Sequence, residues 1–115
     1  MPEWPARAQL LTSAELPQAV DTSDVVGIHC WADWNGHDYE FAKRLKLTTE
    51  RFPNLVLFTM EIGSNADRMA DWQILNVPAF VIFRDGTRLA TLWMEHESVT
   101  EFQQRIENSL VNASA

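Results

Sequence analysis

The side chains best suited to bind a metal or to react lie between positions 29 and 38. They are His29, Cys30, His37 and Asp38. Imidazole, thiolate and carboxylate groups bind metals, and a thiolate is also a nucleophile. The single cysteine cannot close an intramolecular disulfide, and the spacing matches no structural zinc pattern. His29 and Cys30 are neighbours on a predicted strand, so their side chains should point to opposite faces. We predict a buried, unreactive Cys30, a core His29 with a hydrogen-bond partner, and neither metal nor cofactor.

Hydrophobic periodicity predicts the strands and helices on which these residues lie. The run from Val25 to Trp31 is apolar except for His29, which is typical of a strand buried on both faces. Over residues 36–51, apolar residues recur at three- and four-residue spacing, which predicts a helix. The other predicted elements are helices over 14–20 and 66–75, strands over 55–62, 79–83 and 87–93, and a C-terminal helix bearing Val99, Phe102, Ile106 and Leu110.

Short polar motifs mark where these elements begin and turn. Ser13 and Asn65 are predicted N-caps, since their side chains can accept from the first helical N–H groups. Asp85-Gly86 lies between two strand patterns and predicts a tight hairpin. Strands joined through helices should pair in parallel, whereas the hairpin adds antiparallel pairing. The sequence therefore predicts one α/β domain over residues 1–115, with a central mixed sheet flanked by helices on both faces.

Composition and charge narrow the function classes. The 115 residues carry a net charge of -7, which disfavours binding to nucleic acid or to anionic lipid. No apolar run is long enough to span a membrane, and residues 1–8 lack the apolar segment of a secretory signal. With a single cysteine, these features predict a cytoplasmic protein.

One basic segment runs against the overall acidity, because Lys43, Arg44, Lys46 and Arg51 all lie on the predicted helix over 36–51. Either these side chains form a docking face for an acidic partner, or they are the solvated flank of a helix. The second interpretation is favoured, since charged residues are the norm at exposed helix positions.

Three motifs in order give the chain a family resemblance. Residues 31–34, WADW, resemble the W-A-x-W that precedes the C-G-P-C redox site of thioredoxins. Residues 76–80, NVPAF, are similar to the I-P-T segment whose proline is cis and faces that site. Residues 81–87, VIFRDGT, resemble the strand and turn that follow. The resemblance spans residues 10–110 and implies a thioredoxin-like fold with a cis Val77-Pro78 bond.

The departures from the family pattern concentrate at the redox site. Asn35-Gly36-His37-Asp38 stands where thioredoxins have C-G-P-C, so both redox cysteines are replaced. The resemblance also places His29 at the family's buried aspartate. It further places Thr59 at the lysine often found near that aspartate, and Met94 at the glycine that lines the client groove.

Loss of both sulfurs excludes dithiol–disulfide exchange at this site, because that reaction needs a thiolate and a sulfur to receive electrons. The replacements suit the start of a helix instead. Asn35 is among the best N-cap residues, and Asp38 lies three positions later, close to a capping-box pattern. The former redox positions, Asn35 and Asp38, are therefore predicted to cap the helix.

The resemblance implies that the former active-site groove remains as a surface. Its expected residues are Trp34, Asn35, His37, Val77, Pro78 and Met94. We predict a redox-inactive, non-enzymatic module that binds a protein partner through this groove. The sequence predicts no oligomeric state. One alternative is residual thiol or metal chemistry at Cys30 with His29 or His37. Another is a purely structural domain cut from, or bound within, a larger assembly. The groove itself is either open to a partner or plugged by the Trp34 ring and Met94.

Overall fold

The strand that carries His29 and Cys30 lies at the centre of a five-stranded sheet. The computed structural model describes residues 2–114, and its strand order is β1-β3-β2-β4-β5. The strands are β1 (Gln9–Leu10), β2 (Val25–Trp31), β3 (Val56–Glu61), β4 (Ala79–Arg84) and β5 (Thr87–Trp93). The helices are α1 (Leu16–Ala19), α2 (Gly36–Thr48), α3 (Ala66–Asp71) and α4 (Val99–Ser114), with a 3-10 turn, Thr49–Arg51, after α2.

The pairing is mixed, as the element order predicts. Strand β2 pairs in parallel with β3 and antiparallel with β4, so that His29 lies beside Thr59 on one side and Phe80 on the other. Strand β1 extends the parallel side, and β5 extends the antiparallel side. The β4–β5 turn has positive φ at both Asp85 (52°) and Gly86 (74°), as in the type I′ turn of a two-residue hairpin.

Helices cover both faces of the sheet, which confirms the predicted architecture. One core packs α1 and α3 against the β2 side chains that include Ile28 and Cys30. The other packs α2 and α4 against the opposite face, where Phe41, Phe80 and Phe102 meet. On that second face a Cβ atom at Gly27 would lie 2.2 Å from Phe80 Cζ, so only glycine admits this ring. We refer to these as the α1/α3 face and the α2/α4 face.

The structure corrects several predicted element ends. Strand β1 was not predicted, because two exposed residues carry no alternating pattern. Helix α1 begins at Leu16 rather than at 14, so Ser13 is not its cap. Asn65 precedes α3, but its Oδ1 accepts from the Ser13 N–H (2.7 Å) and its Nδ2 donates to the Glu61 carbonyl (2.7 Å). The asparagine therefore joins two loops, and tertiary contacts replace the expected cap.

Within the described part of the chain, no helix is both long and apolar enough to cross a membrane.

Candidate functional site

The start of α2 is held by Asn35, as predicted. The Asn35 Oδ1 accepts from the His37 N–H at 3.0 Å, and the residue has the extended backbone of an N-cap. Because Oδ1 faces that donor, Nδ2 is the atom that faces the Val77 carbonyl, to which it donates at 2.9 Å. One amide side chain thus caps the helix and also ties it to the loop before Pro78.

Asp38 does not complete a capping box, so that part of the prediction is wrong. The Asn35 N–H that a capping box would satisfy donates instead to the Ala32 carbonyl at 3.2 Å. Asp38 lies on the same face of α2 as Phe41, which places its carboxylate in the core with no exposed surface. There Oδ2 accepts from the Ala32 N–H at 3.0 Å, and Oδ1 lies 2.9 Å from His29 Nε2.

His29 is a core histidine with two hydrogen-bond partners, which confirms the prediction and adds to it. The second partner is the Trp4 indole, whose Nε1 donates to His29 Nδ1 at 2.8 Å. An indole nitrogen can only donate, so Nδ1 must accept and carries no proton. The neutral ring then bears its proton on Nε2 and donates it to Asp38 Oδ1. The chain Trp4–His29–Asp38 has one consistent assignment of protons.

Burial governs the acid–base behaviour of this region. Burial lowers the pKa of His29, and the hydrogen bond and charge of Asp38 oppose that effect without cancelling it. On the other face of β2, burial raises the pKa of Cys30 to about 12, with a further contribution from the Asp38 charge. The Cys30 sulfur is fully buried and protonated at neutral pH, so it has neither the access nor the thiolate that reactivity requires.

The metal-competent side chains do not gather around one point. Within residues 2–114, no three histidine, cysteine, aspartate or glutamate side chains stand where they could hold one ion. His29 and Cys30 lie on opposite faces of β2, and His37 is exposed at the start of α2. The arrangement therefore gives no geometric support to metal or thiol chemistry that combines Cys30 with either histidine.

The predicted groove is divided into two cavities, both of which Val77 lines. The first, of about 540 Å³, is lined by Trp34, Asn35, Ile62, Ala66, Met69, Ala70, Ile74, Leu75, Asn76 and Val77. The second, of about 440 Å³, is lined by His37, Glu40, Arg44, Val77, Pro78, Met94, Glu95 and His96. The Val77-Pro78 bond between them is cis, as the resemblance implied. Of the six predicted groove residues, the first cavity has Trp34, Asn35 and Val77, and the second has His37, Val77, Pro78 and Met94.

The two cavities differ in character. Apart from Asn35 and Asn76, the first is lined by apolar or aromatic side chains, and at its rim Trp34 is 78% exposed and Leu75 is 86% exposed. The Trp34 ring therefore does not plug the groove. The second is ringed by charged and imidazole groups, and Met94 there is half-buried against the α2/α4 core.

Two of the four residues in the basic segment, Arg44 and Arg51, make contacts within the fold. Arg44 donates to the Glu95 carbonyl at 3.1 Å and lies 3.6 Å from the Glu97 carboxylate. Arg51, in the 3-10 turn, lies 2.8 Å from the Glu107 carboxylate of α4. These contacts hold the two arginines within the fold, whereas Lys43 and Lys46 are exposed on α2.

Comparison with known proteins identifies the family to which this site belongs. A sequence model described as Thioredoxin matches residues 7–109. The chain belongs to the thioredoxin family. No curated protein matches this thioredoxin-family chain.

Solved structures share the thioredoxin fold at low identity. Mitochondrial thioredoxin 3 from Saccharomyces cerevisiae, in its oxidized form, has 17% identity and a TM-score of 0.73, over 88% of this chain and 93% of that one. A designed protein has 19% identity and a TM-score of 0.77, over 92% and 99%. A chain from a study of the thiol resolving mechanism in yeast mitochondrial 1-Cys peroxiredoxin has 16% identity and a TM-score of 0.76, over 90% and 95%.

The residue types at two positions of this site differ from those of the thioredoxin pattern. The family resemblance places an acid on the central strand and a sulfur at the fourth helix-start position. This chain has a base, His29, on the strand and an acid, Asp38, at that helix position. With one cysteine in all, it lacks the two thiols that dithiol–disulfide exchange requires. Sequence reasoning missed Trp4, because no local pattern shows that an N-terminal tryptophan reaches His29.

Proposed function

We propose that this domain binds a protein partner through the apolar cavity beside Trp34, without dithiol chemistry. The observation that carries the proposal is the pair of nearly bare hydrophobic side chains, Trp34 and Leu75, at the rim of that cavity. Large apolar side chains exposed together around a concave surface are typical of interaction sites. A partner that inserts an apolar side chain into this cavity would bury the Trp34 and Leu75 side chains together.

The surroundings of the cavity favour a pre-organised surface. The Asn35–Val77 hydrogen bond joins the start of α2 to the loop that forms one wall. Ile62 and Ile74 pack against the α1/α3 core, which steadies two more walls. A rigid site loses less conformational entropy on binding, so more of the contact energy contributes to affinity. Tryptophan at such a position is also a frequent dominant contributor to binding energy.

The test compares two exposed side chains in the full chain. A pull-down from the native host with the wild-type domain identifies a partner, and titration calorimetry with that purified partner gives its Kd. Trp34→Ala should weaken binding by about thirtyfold or more, since dominant aromatic contacts contribute about 2 kcal/mol or more. Leu47→Ala is the matched control, because Leu47 is 52% exposed on α2 and lines neither cavity.

The basic flank provides the opposing hypothesis. If Lys43→Glu with Lys46→Glu weakens binding more than Trp34→Ala does, then the interface lies on α2 and the proposal is wrong. Rim charges otherwise affect mainly the association rate and its salt dependence. Circular dichroism should show that every variant is folded before any affinity is compared.

A further inference from the structure

Trp4, in the N-terminal segment of residues 2–8, contacts the buried histidine. The Trp4 ring packs edge-on against His29, with 5.9 Å between ring centroids, and against Trp31 at 5.0 Å. Its indole N–H supplies the hydrogen bond to His29 Nδ1. Asp38 holds the other ring nitrogen. The imidazole is therefore held between a fixed element of the fold, α2, and a segment that precedes the first strand.

This arrangement makes docking of Trp4 and protonation of His29 mutually exclusive. An imidazolium carries a proton on both ring nitrogens, and an indole nitrogen cannot accept. Protonation at Nδ1 would place two donors 2.8 Å apart. A buried donor without an acceptor is costly, so the indole must leave when the ring gains its second proton.

Among the groups that face His29, Asp38 favours the charged ring once the indole has left. Thr59 and Phe80 are its neighbours on β3 and β4, and Phe41 of α2 packs on it with 4.8 Å between ring centroids. None of these three ionises near neutral pH. The titratable group that faces it among residues 2–114 is Asp38, whose carboxylate would pair with the imidazolium.

Arg7 limits how far such a release can extend. Its guanidinium donates to the carbonyls of Pro53 (2.7 Å), Thr49 (3.0 Å) and Phe52 (2.9 Å), where α2 and the 3-10 turn end. A guanidinium keeps its charge throughout the physiological pH range, so this anchor does not respond to protonation of His29. Any release is therefore confined to the residues before Arg7, and it must also move Pro2, which is buried, and Pro5, whose carbonyl accepts from the Ala8 N–H at 2.9 Å.

We propose that residues 2–6 form a proton-released latch, in which Trp4 stays docked on neutral His29 and leaves when that ring is protonated. The direction follows from linkage. Protonation at Nδ1 removes the acceptor of the docked indole, and burial lowers the pKa of His29 in the docked state, so proton binding favours the released state. The docked state is therefore favoured where His29 is neutral, and it loses stability as pH falls through the range in which His29 titrates.

Nuclear magnetic resonance of the full chain tests the latch directly. The Trp4 indole N–H and the His29 ring nitrogens are followed from pH 7.5 downward, with far-ultraviolet circular dichroism at each step. At the upper end, His29 should be the neutral tautomer protonated on Nε2. As it titrates, the Trp4 signal should move, with the same midpoint, to that of a solvent-exposed indole, while the dichroism stays constant.

Two variants sharpen the test. Trp4→Phe keeps a ring but removes the donor, so the His29 midpoint should move to higher pH. Trp34→Phe changes an exposed ring and should leave that midpoint unchanged. The latch is refuted if Trp4 stays docked while His29 protonates, if His29 stays neutral until the whole domain unfolds, or if Trp4→Phe does not raise the midpoint. Loss of dichroism together with Trp4 release would equally refute it, as global acid unfolding.

Discussion

On the α2/α4 face of β2, His29 lies in a buried polar chain in which every ring nitrogen has a partner. On the α1/α3 face, the next residue, Cys30, lies among apolar side chains such as Ile28 and Met60. Both residues are fully buried, and both have chemically versatile side chains. Residue type alone therefore does not make a site. The face of the strand on which a buried side chain lies determines whether it finds hydrogen-bond partners, as His29 does, or stays unreactive among apolar side chains, as Cys30 does.

The largest expected effect comes from removing the acid of the polar face. Asp38→Ala leaves the Ala32 N–H and the His29 Nε2–H without acceptors in the core. Each stranded buried donor costs about 1–3 kcal/mol, so we expect a loss of about 3 kcal/mol in unfolding free energy, measured by urea denaturation. Cys30→Ala is the control on the other face and should cost about 1 kcal/mol. Equal costs for the two variants would erase the contrast between the faces.

The next effect concerns packing on the polar face. Gly27→Ala forces a methyl group to within 2.2 Å of Phe80 Cζ, which overpacks the α2/α4 core. We expect a cost of about 1–3 kcal/mol in the same denaturation assay. Phe80→Leu in the same chain should recover part of it, so the double variant should be more stable than the sum of the single effects predicts. Additive effects would mean that the ring and the new methyl group do not meet.

A smaller effect is expected at Asn35, which joins the start of α2 to Val77. Asn35→Ala removes the N-cap and the tie, and should cost about 1–2 kcal/mol of unfolding free energy. Asn35→Ser keeps a capping oxygen and loses only the donor to Val77, so it should cost less. Asn35→Asp also keeps the cap but sets a carboxylate oxygen against the Val77 carbonyl. If the aspartate variant is as stable as wild type, the tie contributes nothing.

The sequence predicted the fold well because its signals were local and periodic. The run Val25–Trp31 and the turn at Asp85-Gly86 match the structure residue for residue. The family motifs also predicted the cis bond before Pro78. Short elements and tertiary contacts were not predicted. One example is the two-residue β1, whose pairing with β3 leaves no pattern in its own residues.

The candidate site was predicted in part. The cap at Asn35, the hydrogen-bonded His29 and the buried Cys30 are confirmed, because strand alternation and N-cap preference are local rules. The role of Asp38 was wrong, since its position in α2 permits both a cap and a core contact. The partnership of Trp4 with His29 joins residues 25 positions apart and has no sequence signal.

The smallest expected effect is on the reactivity of Cys30, where the comparison of faces predicts almost none. With the pKa of Cys30 at about 12, roughly one thiol in ten thousand is ionised at pH 8, and the sulfur is fully buried. A thiol reagent such as dithionitrobenzoate should therefore label the native domain very slowly and the urea-unfolded chain at the rate of a free thiol.

Insulin reduction by dithiothreitol should proceed no faster with the domain than without it. Rapid labelling of the native domain would show that the α1/α3 face opens to solvent. Insulin turnover that disappears in Cys30→Ser would show that Cys30 is chemically active, and the contrast between His29 and Cys30 would then fail.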